Sequence, residues 1–140
     1  MLSSGGSLYE RADEYILQKT CCAVTFGLPL KMVEVREYID ARGRVPYRDW
    51  IIKLDTVTRV RVITAALRME HGNFSAAKGV GSGVYELRLD FGPGYRVYFG
   101  KDGERIVILL GGGTKKRQQV DIDAAHELWA EYKKRKQEDK

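Results

Sequence analysis

The chain has almost no cysteine. Cys21 and Cys22 are the only two in 140 residues, and adjacent cysteines seldom bridge each other because the geometry is poor. A disulfide framework and a C-x-x-C metal knuckle are therefore excluded, and the chain suits a reducing cytosol. Long apolar runs are also missing. None approaches the roughly 18 residues that a membrane-spanning helix needs. The opening "MLSSGGSLYERADEY" is acidic where a secretory signal requires Lys or Arg ahead of its apolar stretch. Histidine is scarce, with only His71 and His126. His71 stands beside Gly72 and suits a helix end. His126 shares the apolar side of a helical pattern with Ile122 and Trp129 and reads as packed rather than as a base. No cluster of His, Asp and Cys suggests a metal. "GGGTKK" lacks the G-x-x-x-x-G-K-[ST] spacing of a phosphate loop, so no nucleotide cofactor is indicated.

Basic charge is what the chain does have. Its net charge is +5 and its pI about 9.2, with 44% apolar and 31% charged residues. That balance fits one ordinary globular domain and favours an anionic partner such as nucleic acid. The charge is unevenly placed. Over residues 1–31, Arg11, Lys19 and Lys31 cancel Glu10, Asp13 and Glu14, so the whole excess lies on residues 32–140. The first 31 residues also lack periodicity. They read as a weakly ordered leader with Met32 as the working start, or else as a docked N-terminal segment. Residues 32–140 read as the functional domain.

"MVEVREYI" (32–39) alternates like a strand. Pro46 suits a first helical turn, with Trp50 and Leu54 on one side. Asp55 can cap the next helix, in which Val60, Ile63 and Leu67 form an apolar stripe and Arg61 and Arg68 face solvent. Gly72 stands where a terminating glycine belongs. "VYELRLDF" and "YRVYF" both alternate, and Asp102-Gly103 is a hairpin signal. "GVGSGVY" reads as a flexible loop. "RIVILL" is continuously apolar and reads as an inner strand covered on both sides. Asp121 or Asp123 caps a final helix that turns Ile122, Trp129 and Tyr132 inward. The predicted fold class is α+β: a small, mostly antiparallel sheet with helices packed on one face, in the order β-α-α-β-β-β-α.

Strand alternation gathers the charges. If Leu87, Leu89, Val97 and Phe99 face the helices, then Glu86, Arg88, Asp90, Arg96 and Tyr98 face the other way. Lys115, Lys116 and Arg117 follow the next strand and can bend over that same polar face, with Tyr98 as a stacking ring. Converging cations suit phosphodiester cleavage, in which a 2′-hydroxyl attacks the adjacent phosphate and the transition state gains negative charge. The plainer alternative is that Arg88 and Arg96 pair across strands with Glu86 or Asp90, and that Lys115–Arg117 is a solvated turn. An Arg96 exposed in this way can become alanine at a cost of roughly 1 kcal/mol or less.

"GPGYRVYF", followed by "ILLGGGTKKRQQVDIDAAHELW", closely resembles the addiction-module killer proteins, in the RelE/HigB branch of the RelE/ParE toxin superfamily. The similarity runs from about Met32 to Lys134. It implies a RelE-like fold and a type II toxin, neutralised by a cognate antitoxin that is a small helix-turn-helix protein. It further implies a cytoplasmic, metal-independent endoribonuclease that cuts mRNA on the ribosome, touches operator DNA only through the antitoxin complex and needs no membrane. By this resemblance Arg88, Arg96, Lys115 and Lys116 are the catalytic cations; Arg117 next to that pair and Tyr98 on the shared polar face are the expected RNA contacts. Two departures stand out. Glu86 occupies a position where RelE carries a basic residue, and Asp121 and Ile122 stand where RelE has a tyrosine. The general base is thus unassigned, with Glu86 and Asp90 as candidates. A ParE-like gyrase inhibitor that cleaves nothing and a non-toxic basic nucleic-acid-binding module are the competing readings.

Overall fold

A computed structural model describes residues 32–139; the leader expected at residues 1–31 lies outside the described residues. The elements run β1 (Glu34–Glu37), α1 (Pro46–Ile51), α2 (Thr56–Leu67), a 3-10 turn (Arg68–His71), β2 (Ala77–Gly79), β3 (Val84–Leu89), β4 (Tyr95–Asp102), β5 (Ile106–Thr114), a second 3-10 turn (Lys115–Arg117) and α3 (Gln118–Glu138). The five strands form one sheet in the order β1-β5-β4-β3-β2. Among the described residues only the β1–β5 pairing is parallel. The mixed α+β class is as expected, and β2 is an addition to the order. Its three residues, Ala-Lys-Gly, have little strand propensity of their own; backbone pairing with β3 makes the strand.

Local signals account for the helix ends. Pro46 opens α1. Asp55 caps α2, its side chain accepting from the Thr58 N–H at 3.0 Å. Gly72 ends the first 3-10 turn at φ +81°, a left-handed conformation that costs glycine little. The apolar stripe of α2 is rotated from the one expected. Val62, Ala66 and Met69 enter the core, whereas Val60 is 56% exposed. The contact line follows i, i+4 and i+7, and the small Ala66 lets the helix lie close to the sheet.

The helices are divided between the two faces rather than gathered on one. Tyr47 and Ile51 of α1 and Val62 and Ala66 of α2 pack with Leu87, Leu89, Val97, Phe99, Val107 and Leu109. On the opposite face Ile122, Ala125 and Trp129 of α3 pack with Val84, Tyr98, Ile108 and Leu110. The apolar run of β5 thus feeds both cores, as its composition requires. Two glycines let the helices approach. A Cβ at Gly112 would lie 2.3 Å from the Trp50 ring, and one at Gly100 would lie 2.4 Å from the Trp129 ring. One indole therefore rests directly on the backbone of each face.

The β4–β5 ladder contains one irregularity. Tyr98 pairs with Gly111 but Phe99 pairs with Leu109, so Leu110 is an extra residue on β5. Such a bulge re-aims the side chains beyond it. Gly112 consequently faces α1, and Gly113 faces α3.

Candidate functional site

Residues paired directly across a ladder project to the same face. β3 and β4 place Arg88 opposite Arg96 and Glu86 opposite Tyr98. Two arginines in that position repel each other, and Glu86 offsets the repulsion. Its Oε1 lies 3.9 Å from Arg88 Nε and its Oε2 lies 3.4 Å from Arg96 Nε. From α3, Gln118 Nε2 donates to Glu86 Oε2 at 2.9 Å. Glu86 is only 2% exposed, so these donors replace the water it has lost.

Arg96 forms the floor of the site. It is 5% exposed, and its Nε is enclosed without a well-formed hydrogen bond, so the 3.4 Å contact with Glu86 is an ion pair. Nη1 donates to the Gly94 carbonyl at 3.3 Å. The Lys115 N–H donates to that same carbonyl at 2.9 Å. One peptide oxygen thereby ties the arginine to the start of the basic turn. Gly94 adopts φ +81°, and a Cβ there would sit 3.5 Å from Lys115 Cβ and 3.6 Å from Arg96 Nη1. The Gly-Pro-Gly turn supplies both the left-handed conformation and the space. Lys115, Lys116 and Arg117 are exposed and run straight into α3, which begins at Gln118.

Several expected placements change because α3 covers this face. Arg96 is buried rather than solvent-facing. Tyr98 is 1% exposed and packs in the α3 core, so it is a packing ring and not an accessible stacking platform. Its hydroxyl is enclosed without a partner. Burial raises its pKa, and the charges of Glu86 and Asp121 raise it further. Glu86 is held by its three neighbours instead of standing free as a base. Asp90 lies just past β3 and is exposed. Arg88 stays exposed, so the solvent-facing cations are Arg88, Lys115, Lys116 and Arg117. His126 accepts its packed role, with Nε2 3.0 Å from the Val80 carbonyl oxygen. Neither Asp121 nor Asp123 caps α3, because the 3-10 turn continues into the helix and leaves Arg117 at the cap position.

Asp121 is the residue that the sequence reading underrated. It lies in the first turn of α3. A Cβ at Gly113 would fall 1.9 Å from its Oδ2, so the carboxyl rests in the space that this glycine leaves. Gly113 pairs with Arg96, so Asp121 lies over the strand position next to that arginine on the α3 face. Oδ2 is buried with no hydrogen-bond partner among the described residues. Burial raises the carboxyl above its ordinary range, against the opposing charge of Arg117. One trace of its setting in the sequence was the third glycine of "GGGTKK", eight positions earlier. Among the described residues, no group of three or more His, Cys, Asp or Glu is placed to hold a metal, and no helix is long and apolar enough to cross a membrane.

The chain is similar to an uncharacterized protein of Haemophilus influenzae (strain ATCC 51907 / DSM 11121 / KW20 / Rd), with 39% identity over 88 residues that span 62% of this chain and 89% of the relative. Among solved structures, an arginine-to-alanine double mutant of the E. coli toxin RelE in the free state aligns with a TM-score of 0.45 and 16% identity, covering 76% of this chain and 98% of that one. The profile of the family described as phage derived protein Gp49-like (DUF891) matches residues 49–130. With that match spanning more than half of its length, the chain belongs to the Gp49-like phage-derived family, a RelE/ParE-type toxin-like family.

Proposed function

We propose that the protein is the toxin of a type II toxin–antitoxin pair and acts as a metal-independent, ribosome-dependent mRNA endonuclease. The observation that carries this reading is the joining of Arg88, Arg96 and the Lys115 turn around Glu86 and the Gly94 carbonyl. In this reading a phosphodiester is held by the exposed Arg88, Lys115 and Lys116, with Arg96 fixed beside them by Glu86 and the Gly94 carbonyl. Attack by the 2′-hydroxyl builds negative charge on the phosphoryl oxygens, and prearranged cations stabilise that charge more than they stabilise the substrate. Arg117, exposed at the end of the turn, steers the RNA backbone. Ribosome and mRNA are the working partners, and the cytoplasm is the place of action. A cognate antitoxin, a small helix-turn-helix protein, covers the basic face with an acidic or amphipathic segment and links the toxin to operator DNA.

A second reading is gyrase inhibition without cleavage, as in ParE-like toxins. The feature that favours it is the burial of Arg96 beside Glu86, which a purely structural ion pair would share. Inducible expression of the full chain, with mapping of mRNA 5′ ends and of plasmid supercoiling, separates the two. The nuclease reading expects growth arrest, new 5′ ends within translated frames and unchanged supercoiling. Arrest with altered supercoiling and no new ends would establish the gyrase reading. Binding that falls steeply with salt while growth stays normal would leave only a nucleic-acid-binding module.

A further inference from the structure

The cluster on the α3 face contains many donors and, among the described residues, one carboxylate without a hydrogen-bond partner. Glu86 is occupied by Arg88, Arg96 and Gln118. Lys115, Lys116 and Arg117 carry only protons to give. Among the described residues the Asp121 carboxyl accepts no hydrogen bond and its Oδ2 is sealed against Gly113, while the other unpartnered oxygen, the Tyr98 hydroxyl, is a phenol held protonated by burial. We infer that Asp121 is the general base of the cleavage reaction, its Oδ1 taking the proton of the attacking 2′-hydroxyl while Arg96 and Arg88 hold the phosphate.

The inference rests on the nuclease reading above. Its geometry comes from the pairing of Gly113 with Arg96, which sets the Asp121 carboxyl over the strand position next to Arg96 on the α3 face. A base at that place is lateral to the phosphate and on the substrate side of the sheet. The charged and titratable groups that act on it or feel it are Arg117 from the basic turn and Tyr98 from β4; β5 contributes only the glycine. Burial raises the carboxyl pKa, and a stronger base nearer neutrality is the better proton acceptor. The step balances. The 2′-oxygen bonds to phosphorus as its proton passes to Asp121. The P–O5′ bond breaks, and the departing oxygen takes a proton from water. Asp121 then returns its own proton to solvent, leaving a 2′,3′-cyclic phosphate and a 5′-hydroxyl.

The test compares wild type with Asp121→Asn in single-turnover cleavage of mRNA on translating ribosomes, as a function of pH. The amide keeps the shape of the carboxyl and breaks no hydrogen bond, so thermal melting should match wild type. Cleavage at saturating toxin should fall roughly a hundredfold or more, with the toxin concentration for half-saturation unchanged. The wild-type rate should fall toward acid as Asp121 is protonated, and Asp121→Asn should lose that dependence. A purely structural Asp121 would leave no such limb, so a wild-type rate flat toward acid overturns the inference without any substitution. Full cleavage by Asp121→Asn overturns it while the nuclease reading stands. Recovery of the variant on a substrate whose 5′ leaving atom is sulfur, which departs without a proton, would make Asp121 the acid and also overturn it. A wild type that makes no cuts removes the nuclease reading and this inference together.

Discussion

Arg96→Ala is expected to lose both stability and activity. Breaking a buried ion pair by removing one partner costs about 3–5 kcal/mol, because the other charge is left uncompensated. Glu86 keeps Gln118 at 2.9 Å and Arg88 at 3.9 Å, which places the loss near the lower end, about 3 kcal/mol. That is well above the roughly 1 kcal/mol expected for an exposed arginine. Cleavage should fall on the order of a hundredfold if the guanidinium stabilises the transition state. The two losses can be separated. Combining Arg96→Met with Glu86→Gln removes both charges and retains volume, so melting should recover toward wild type. Cleavage should not recover. A double variant that melts normally and cuts mRNA at full rate would remove Arg96 from the chemistry.

Gly100→Ala is expected to have an effect of similar size by a different route. The new methyl would lie 2.4–2.6 Å from three atoms of the Trp129 ring. A rigid indole cannot yield as a flexible side chain does, so the whole of α3 must lift. Overpacking of this kind costs about 1–3 kcal/mol, sometimes more. Gly112→Ala meets Trp50 at 2.3 Å and should destabilise comparably, lifting α1 instead. The activities should differ. Only α3 carries Gln118 and Asp121, so Gly100→Ala should lose more cleavage than Gly112→Ala at equal loss of stability. Urea denaturation and mRNA cleavage of the two variants supply the comparison. Adding Trp129→Leu to Gly100→Ala should restore part of both properties. Equal activities for the two single variants would mean that the position of α3 is unimportant.

Much of this was legible in the sequence because it is local. The Asp55 cap, the Gly72 terminator, the Asp102-Gly103 hairpin and the two-sided β5 run are each written within a few residues. Alternation also placed Arg88 and Arg96 on one face correctly. The face that α3 would cover was not legible. Ile122, Trp129 and Tyr132 mark the inner side of that helix but not which side of the sheet receives it. The burial of Arg96 and Tyr98 follows from that one unread choice. Asp121 was hidden for a related reason. Its resting place is made by Gly113, and a glycine announces space without saying who fills it. The edge strand Ala77–Gly79 exists only through its partner β3.

The extra residue at Leu110 bears on how the chain can change. A strand has two sides, and each added or removed residue exchanges them. The glycine run of β5 therefore sets a phase as well as leaving room for Trp50 and Asp121. A substitution within it changes how much space is left. Deleting a single glycine instead shifts the phase, so that Thr114, which shares the α1 face with its partner Tyr95, would turn to the α3 face, and Lys115 at the start of the basic turn would emerge toward α1, on the side away from Arg96. The count of glycines between Leu110 and Thr114 is thus a quantity that selection can act on separately from their identity. Length changes there should silence the protein even where every residue of the site is retained.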